Sequence, residues 1–139
     1  MVSKKTGLQA YANMKSLMTK HVSGVKGYCD RTCQNAWKLP VKYASALDAW
    51  NNIPTQYRHT DPRLAPIGVP HFWHSPGDNY GHVALQSDKK GIVISTDAPT
   101  SNYVGEVPLT WFKTHWGKTY LGWGSMYNDV LLDAHEMPN

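Results

Sequence analysis

Three side chains have the types and the chain order that nucleophilic catalysis on an acyl group requires. Cys29 follows Gly27 and Tyr28 at the predicted first turn of a helix, where the helix dipole and free backbone N–H groups favour a thiolate. His82 begins a predicted strand and Asp97 ends the next one. Because such strands pair antiparallel across a tight turn, we expect Asp97 to lie beside His82. A thiol, a histidine base and an orienting carboxylate predict Cys-His-Asp acyl transfer.

Each of these residues also has a purely structural interpretation. An isolated cysteine is often a small core residue, and Asp97 precedes Ala98-Pro99, where it can cap a turn. Asn102 is the reserve candidate for the third position. Cys33, one helical turn beyond Cys29, is interpreted as a core residue, with a resolving thiol or the nucleophile itself as alternatives. The backbone N–H of Cys29 is the default oxyanion donor.

The elements that must position these residues fall into two halves. Apolar residues recur at helical spacing over residues 7–22, and a second helix is predicted over 29–38. Ser45 can cap a third helix over 46–51. Residues 51–76 are rich in Pro, His and Asp, which indicates a long loop with one strand near 69–73.

The second half has strand signals. Two β-rich runs, 81–86 and 91–96, are joined by the turn Asp88-Lys89-Lys90-Gly91, which predicts a hairpin. The remaining candidates are strands over 104–107 and 119–123, a short helix over 109–115 and a last edge strand over 130–132. Helices followed by an antiparallel sheet define an α+β fold.

Composition limits the class of protein. The chain has 139 residues, of which 41% are hydrophobic and 17% charged, so we expect one ordinary globular domain. No apolar run approaches the roughly 20 residues of a membrane helix, and no apolar segment follows Lys4 and Lys5, so no signal peptide is expected. Two cysteines, four residues apart, argue against a disulfide scaffold.

Charge and aromatic content suggest the kind of partner. The net charge is +4, which favours an anionic partner such as a cell-wall polymer. The lysines are scattered, so no nucleic-acid partner is expected. Tyr28 and Trp73 are predicted substrate-binding residues, with the core as the alternative for Trp73. A further aromatic set is predicted to pack on the sheet, with stacking of sugars or bases as the alternative: Trp111, Trp116, Tyr120 and Trp123.

A metal site is the weakest of the interpretations considered. His71 and His74 have a spacing that suits a helix, but Pro70 and Pro76 bracket them and favour a loop or strand. With His82 they form no complete tetrahedral set. We therefore predict no metal and no cofactor.

Several short motifs carry a family resemblance. Gly27-Tyr28-Cys29, the segments 45–50 (SALDAW) and 68–73 (GVPHFW), and Gly81-His82-Val83-Ala84-Leu85 resemble a CHAP-type cysteine peptidase. Ser95-Thr96-Asp97, Trp116-Gly117 and the segment 120–123 (YLGW) resemble the N-terminal peptidase domain of endolysins from phages of actinobacteria. The motifs occur in order between about residues 27 and 130.

The resemblance implies a fold and a mechanism. The fold would be papain-like, with a helix packed on an antiparallel sheet. Cys29 would attack a peptidoglycan amide, His82 would act as its base, and Asp97 would orient the imidazole. Within a single domain of residues 1–139, residues 1–26 would be an N-terminal helical extension and 27–132 the catalytic core. The polar Asp30-Arg31-Thr32 departs from the aromatic or apolar face that often follows the family's nucleophile.

The predicted function is therefore that of a phage endolysin-type peptidoglycan hydrolase that lyses the host cell. We expect a monomer, made in the host cytoplasm and released to the wall or carried in a virion, with no membrane partner. The alternatives are a non-catalytic wall-binding or virion structural module and a zinc- or nucleic-acid-binding phage protein. Whether the protein acts as an amidase or as an endopeptidase stays open. The choice between Asp97 and Asn102 as the third catalytic residue stays open as well.

Overall fold

The α-helices and β-strands are described in a computed structural model that covers residues 1–139. The helices are α1 (Gly7–Thr19), α2 (Cys29–Ala36), α3 (Ala46–Asn51) and α4 (Trp111–Trp116). The strands are β1 (Val2–Thr6), β2 (Arg58–His59), β3 (Pro70–His74), β4 (His82–Gln86), β5 (Ile92–Thr96), β6 (Val104–Pro108), β7 (Thr119–Gly124), β8 (Met126–Tyr127) and β9 (Val130–Asp133). No helix has the length and apolar character needed to cross a membrane.

The main sheet has six strands in the order β2-β7-β3-β4-β5-β6, and every neighbouring pair is antiparallel. The predicted hairpin is confirmed: β4 and β5 pair with Leu85 opposite Ile94. Ser45 caps α3 as predicted, since its hydroxyl accepts a hydrogen bond from the Asp48 N–H. The α+β class is confirmed as a mixed fold with a large antiparallel sheet.

Strand alternation divides the core between the two faces of this sheet. Val83, Leu85 and Ile94 belong to the larger cluster of 21 buried residues, which includes side chains of α1 and α2. Ala84 and Val93 belong to a smaller cluster with Phe112 of α4. Successive residues of a strand point to opposite faces, so the sheet is covered on both sides.

Trp73 lies in the smaller cluster, and its predicted role in substrate binding is wrong. Its side chain is 1% exposed and packs against Phe112, with 4.5 Å between the ring centroids. The neighbouring Phe72 belongs to the larger cluster, on the α1 and α2 side. The alternation of β3 therefore turns Trp73 to the face that α4 covers, away from solvent.

The N-terminal segment is part of the core, which corrects its prediction as a helical extension outside the catalytic part. Residues Val2–Thr6 form β1, and Thr6 and Gln9 make a capping box at the start of α1. Ala10 and Met14 of α1 are completely buried in the larger cluster. Removal of this segment would expose that cluster.

A second, three-stranded sheet has the order β1-β9-β8, with β1 parallel to β9. The predicted last edge strand is therefore wrong in its position, because β9 is the central strand of this sheet. The polar sequence of β1 carries no strand signal of its own, and its partner lies more than 120 residues away in the chain. Such a non-local pairing leaves no local pattern in the sequence.

Candidate active site

Cys29, His82 and Asp97 line one cleft with a volume of about 530 Å³. The first turn of α2 supplies Cys29 and the start of β4 supplies His82. Asp97 follows β5 directly. The structure thus brings all three predicted residues to one cleft, although they contact different groups.

Cys29 is partly exposed and is the first residue of α2. Its thiol lies near the main chain of Val83, the residue after His82. Burial raises the pKa of Cys29 to about 11, and hydrogen bonds from the main chain of Val83 and Asp30 offset this only in part. Burial and the negative charge of the adjacent Asp30 therefore oppose the predicted thiolate, and the helix N-terminus favours it.

His82 is 5% exposed and lies among aromatic rings. Its ring centroid is 4.7 Å from that of Phe112 and 5.0 Å from that of Trp116, whose plane is perpendicular. Burial and, to a smaller extent, the nearby positive charge of Lys118 lower the pKa of His82 to about 3. The imidazole is therefore neutral at neutral pH, which is the form that a general base needs.

Ser95 determines which nitrogen of His82 carries the proton. The Ser95 hydroxyl donates its only hydrogen to the carbonyl oxygen of Thr96, at 2.8 Å. With this hydrogen engaged, we assign the imidazole N–H as the donor in the 2.7 Å contact between Nε2 of His82 and Oγ of Ser95. The proton is thus assigned to Nε2, which leaves the lone pair of Nδ1 free to accept a proton.

Asp97 has a different role from the predicted one. One carboxylate oxygen accepts a hydrogen bond from the Gly27 N–H at 3.0 Å, and the other from the Asn102 N–H at 2.6 Å. Asp97 thus holds the segment that leads into Cys29, and Ser95 takes its expected place beside the imidazole. The side-chain oxygen of Asn102, the reserve candidate, accepts from the Gly24 N–H at 2.9 Å and holds the same segment.

Cys33 is completely buried in the larger cluster, and its Sγ lies 3.9 Å from the carbonyl oxygen of Val83. Its interpretation as a core residue agrees with this position. Both cysteines are free thiols. Cys33 is closed to solvent and does not line the cleft, so Cys29 is the candidate nucleophile.

Exposed aromatic side chains surround the cleft. Tyr28, a predicted substrate-binding residue, lines it with half of its side chain exposed, and the Arg31 guanidinium lies 5.1 Å from its ring centroid. Tyr80 and Trp116 also line the cleft and are exposed. The sequence favours packing for Trp116, with stacking of sugars or bases as the alternative, and no local pattern predicts its position beside His82.

The three histidines considered for a metal site each have separate partners. Nδ1 of His71 contacts the Tyr120 hydroxyl at 2.7 Å, and Nε2 of His74 contacts the Asp78 carbonyl oxygen at 3.0 Å. No group of three or more His, Cys, Asp or Glu side chains could hold a metal ion. The tetrahedral arrangement of ligands typical of zinc sites is not formed by these residues.

Replacement of Ser95 by alanine is expected to lower kcat about tenfold while KM stays nearly constant. The imidazole loses the acceptor that orients it, and a neutral hydrogen bond contributes on the order of 1 kcal/mol. Steady-state kinetics on a soluble amide substrate would measure both constants. Ser95→Thr keeps the hydroxyl and serves as the matched control; equal kcat for wild type and Ser95→Ala would contradict the role of Ser95.

Replacement of Asp97 by alanine is expected to lower stability and activity together. The change removes two hydrogen bonds to the main chain, and the left-handed φ of 62° at Asp97 is unfavourable for alanine. We expect a loss of about 2 kcal/mol or more in the free energy of unfolding, measured by urea denaturation. Asp97→Asn keeps one acceptor and tolerates this φ, so it should lose less; an equal loss would contradict the argument.

The comparisons with known proteins give no family for this chain. No protein-family model matches it, and neither the curated proteins nor the solved structures contain a significant match.

Proposed function

We propose that this protein is a cysteine peptidase or amidase with a papain-like core that hydrolyses an amide bond of peptidoglycan, as a CHAP-type phage endolysin does. The observation that carries the proposal is a thiol and a neutral imidazole in one cleft, with Nε2 of the imidazole bound to Ser95. A helix that begins at Cys29 and packs on an antiparallel sheet supports the papain-like core.

The proposed reaction starts from a neutral pair. Sγ of Cys29 attacks the carbonyl carbon of the amide while Nδ1 of His82 takes the thiol proton, so that a C–S bond forms. The C–N bond then breaks, and His82 gives the proton to the leaving amine. Water, activated by His82, hydrolyses the thioester and restores the thiol.

Two features of the site would stabilise the charged states of this reaction. The backbone N–H of Cys29 at the start of α2 is the proposed donor to the oxyanion of the tetrahedral intermediate. Oγ of Ser95 accepts from the imidazolium that forms transiently. The reaction needs no cofactor.

The proposed biological setting is lysis of a bacterial host. The net charge of +4 would favour approach to an anionic wall at low ionic strength. We propose that the protein acts as a monomer, is made in the host cytoplasm and reaches the wall after release or as part of a virion.

A non-catalytic wall-binding or virion module is the second candidate, and the electrostatics of the cleft favour it. Burial raises the pKa of Cys29 to about 11 and lowers that of His82 to about 3, so both shifts oppose a thiolate–imidazolium pair. A module without catalysis would keep the fold and the cleft but not the reactive thiol.

The two candidates are separated by turbidity loss of purified actinobacterial cell walls, followed by mass spectrometry of the soluble products. The proposal expects clearing and new amine-bearing fragments that heat-inactivated protein does not produce. Binding to the walls in a pull-down assay without release of fragments would favour the non-catalytic module.

A further inference from the structure

The cleft continues past Asp97 into a second cavity with a volume of about 440 Å³. Gly27, Asp97 and Trp116 line both spaces, so the two form one groove. The second cavity adds Trp111, Pro99 and Ser101 to its walls. A substrate longer than the cleft can therefore extend beyond the candidate catalytic residues on this side.

Two tryptophans give this second cavity its chemical character. The indole of Trp116 is 36% exposed, and its ring centroid lies 5.2 Å from that of Trp111. Phe112 packs against both indoles, and His115 stacks on Trp111 with 4.3 Å between centroids. Rings that pack against one another in this way form a rigid surface. Ligand binding therefore costs little side-chain conformational entropy.

We infer that this surface is a carbohydrate subsite, at which an N-acetylhexosamine of the glycan strand stacks on Trp116 and Trp111. The inference rests on the proposed function. The C–H face of a sugar ring packs on an indole, while Ser101 and the carboxylate of Asp97 offer polar partners to its hydroxyl groups. Asp97 also disfavours a phosphate backbone, since only Lys26 opposes its charge in the cavity.

The position of the subsite determines which part of the substrate reaches the thiol. Trp116 touches the ring of His82, so a sugar on Trp116 lies directly beside the reacting amide. The groove thus favours the bond that joins the peptide stem to the sugar.

The subsite can be tested without any hydrolysis. A soluble tetramer of β-1,4-linked N-acetylglucosamine is titrated into the protein, and the indole N–H signals of the six tryptophans are followed by NMR. We expect saturable shifts of the Trp111 and Trp116 signals in the wild type and in Cys29→Ala alike. The absence of saturable shifts, or shifts confined to other tryptophans, would overturn the inference.

Substitutions give a second measurement. Trp116→Ala is expected to weaken tetramer binding at least tenfold, whereas Leu64→Ala, at an exposed apolar residue outside both cavities, should leave it unchanged. Equal affinity of Trp116→Ala and wild type, or tighter binding of a single-stranded oligonucleotide than of the tetramer, would contradict a sugar subsite.

The outcomes also separate the subsite from the proposed function. Hydrolysis of walls by a protein that does not bind the tetramer would reject the subsite and leave the hydrolase proposal in place. Tetramer binding at Trp116 by a protein that releases no wall fragments would keep the subsite and reject the hydrolase.

Discussion

Cys29→Ala is expected to abolish release of wall fragments, with a loss of about 10⁴-fold or more in rate. Cys29 is the only thiol that lines the cleft with the neutral His82, and an alanine cannot form the thioester. The pathway through a covalent intermediate is then closed rather than slowed. Turbidity loss of cell walls, together with mass spectrometry of the products, measures the effect.

Cys33→Ala is the matched control for this prediction. It removes a thiol of the same helix from a completely buried position in the larger cluster. The smaller side chain should lower stability by about 1 kcal/mol and leave the rate of wall hydrolysis close to that of the wild type. Hydrolysis that survives Cys29→Ala and disappears in Cys33→Ala would show that Cys33, and not Cys29, is the nucleophile.

The parts of the fold with local signals could be predicted from the sequence. Ser45 caps α3, and the turn between β4 and β5 lies where Asp, Lys and Gly interrupt two β-rich runs. These patterns depend only on neighbours in the chain. They are enough to predict the helix that Ser45 caps and the hairpin that begins at His82.

The partner of His82 depends on backbone geometry that the sequence does not reveal. Continuing the register of Leu85 opposite Ile94 would set Asp97 opposite His82, as the sequence predicts. The left-handed φ of 62° at Asp97 turns the chain out of the strand, and the diagonal neighbour Ser95 reaches the imidazole instead. The φ of a single residue thus determines that the partner of His82 is the Ser95 hydroxyl and not the Asp97 carboxylate.

The electrostatics of the site also lie beyond a prediction from residue types. A cysteine at a helix start suggests a thiolate, but the depth at which α2 lies against the sheet determines the outcome. Burial raises the pKa of Cys29 and lowers that of His82. The proposed mechanism accordingly moves the proton during attack rather than before it.

Acid is expected to destabilise the protein steeply, because two buried histidines must stay neutral in the folded state. His71 is completely buried, with Nε2 at 2.8 Å from Oε1 of Gln86, and burial lowers its pKa to about 4. Burial likewise lowers the pKa of His82 to about 3. Both shifts lie below the value near 6.5 of an unfolded chain, so the unfolded state binds protons first as the pH falls.

The sign and size of this effect follow from linkage. Stability is fully present above about pH 6.5 and falls by about 1.4 kcal/mol per pH unit for each histidine, down to about pH 4 for His71 and pH 3 for His82. Urea denaturation at pH 7, 5.5 and 4.5 should therefore show the first loss of stability between pH 7 and 5.5 and a slope of about 3 kcal/mol per pH unit between pH 5.5 and 4.5. The variant His82→Gln loses one of the two histidines that take up a proton on unfolding. The slope of its unfolding free energy between pH 5.5 and 4.5 should therefore be half that of the wild type. An unchanged slope in this variant would mean that His82 is not held neutral by its burial beside Phe112 and Trp116.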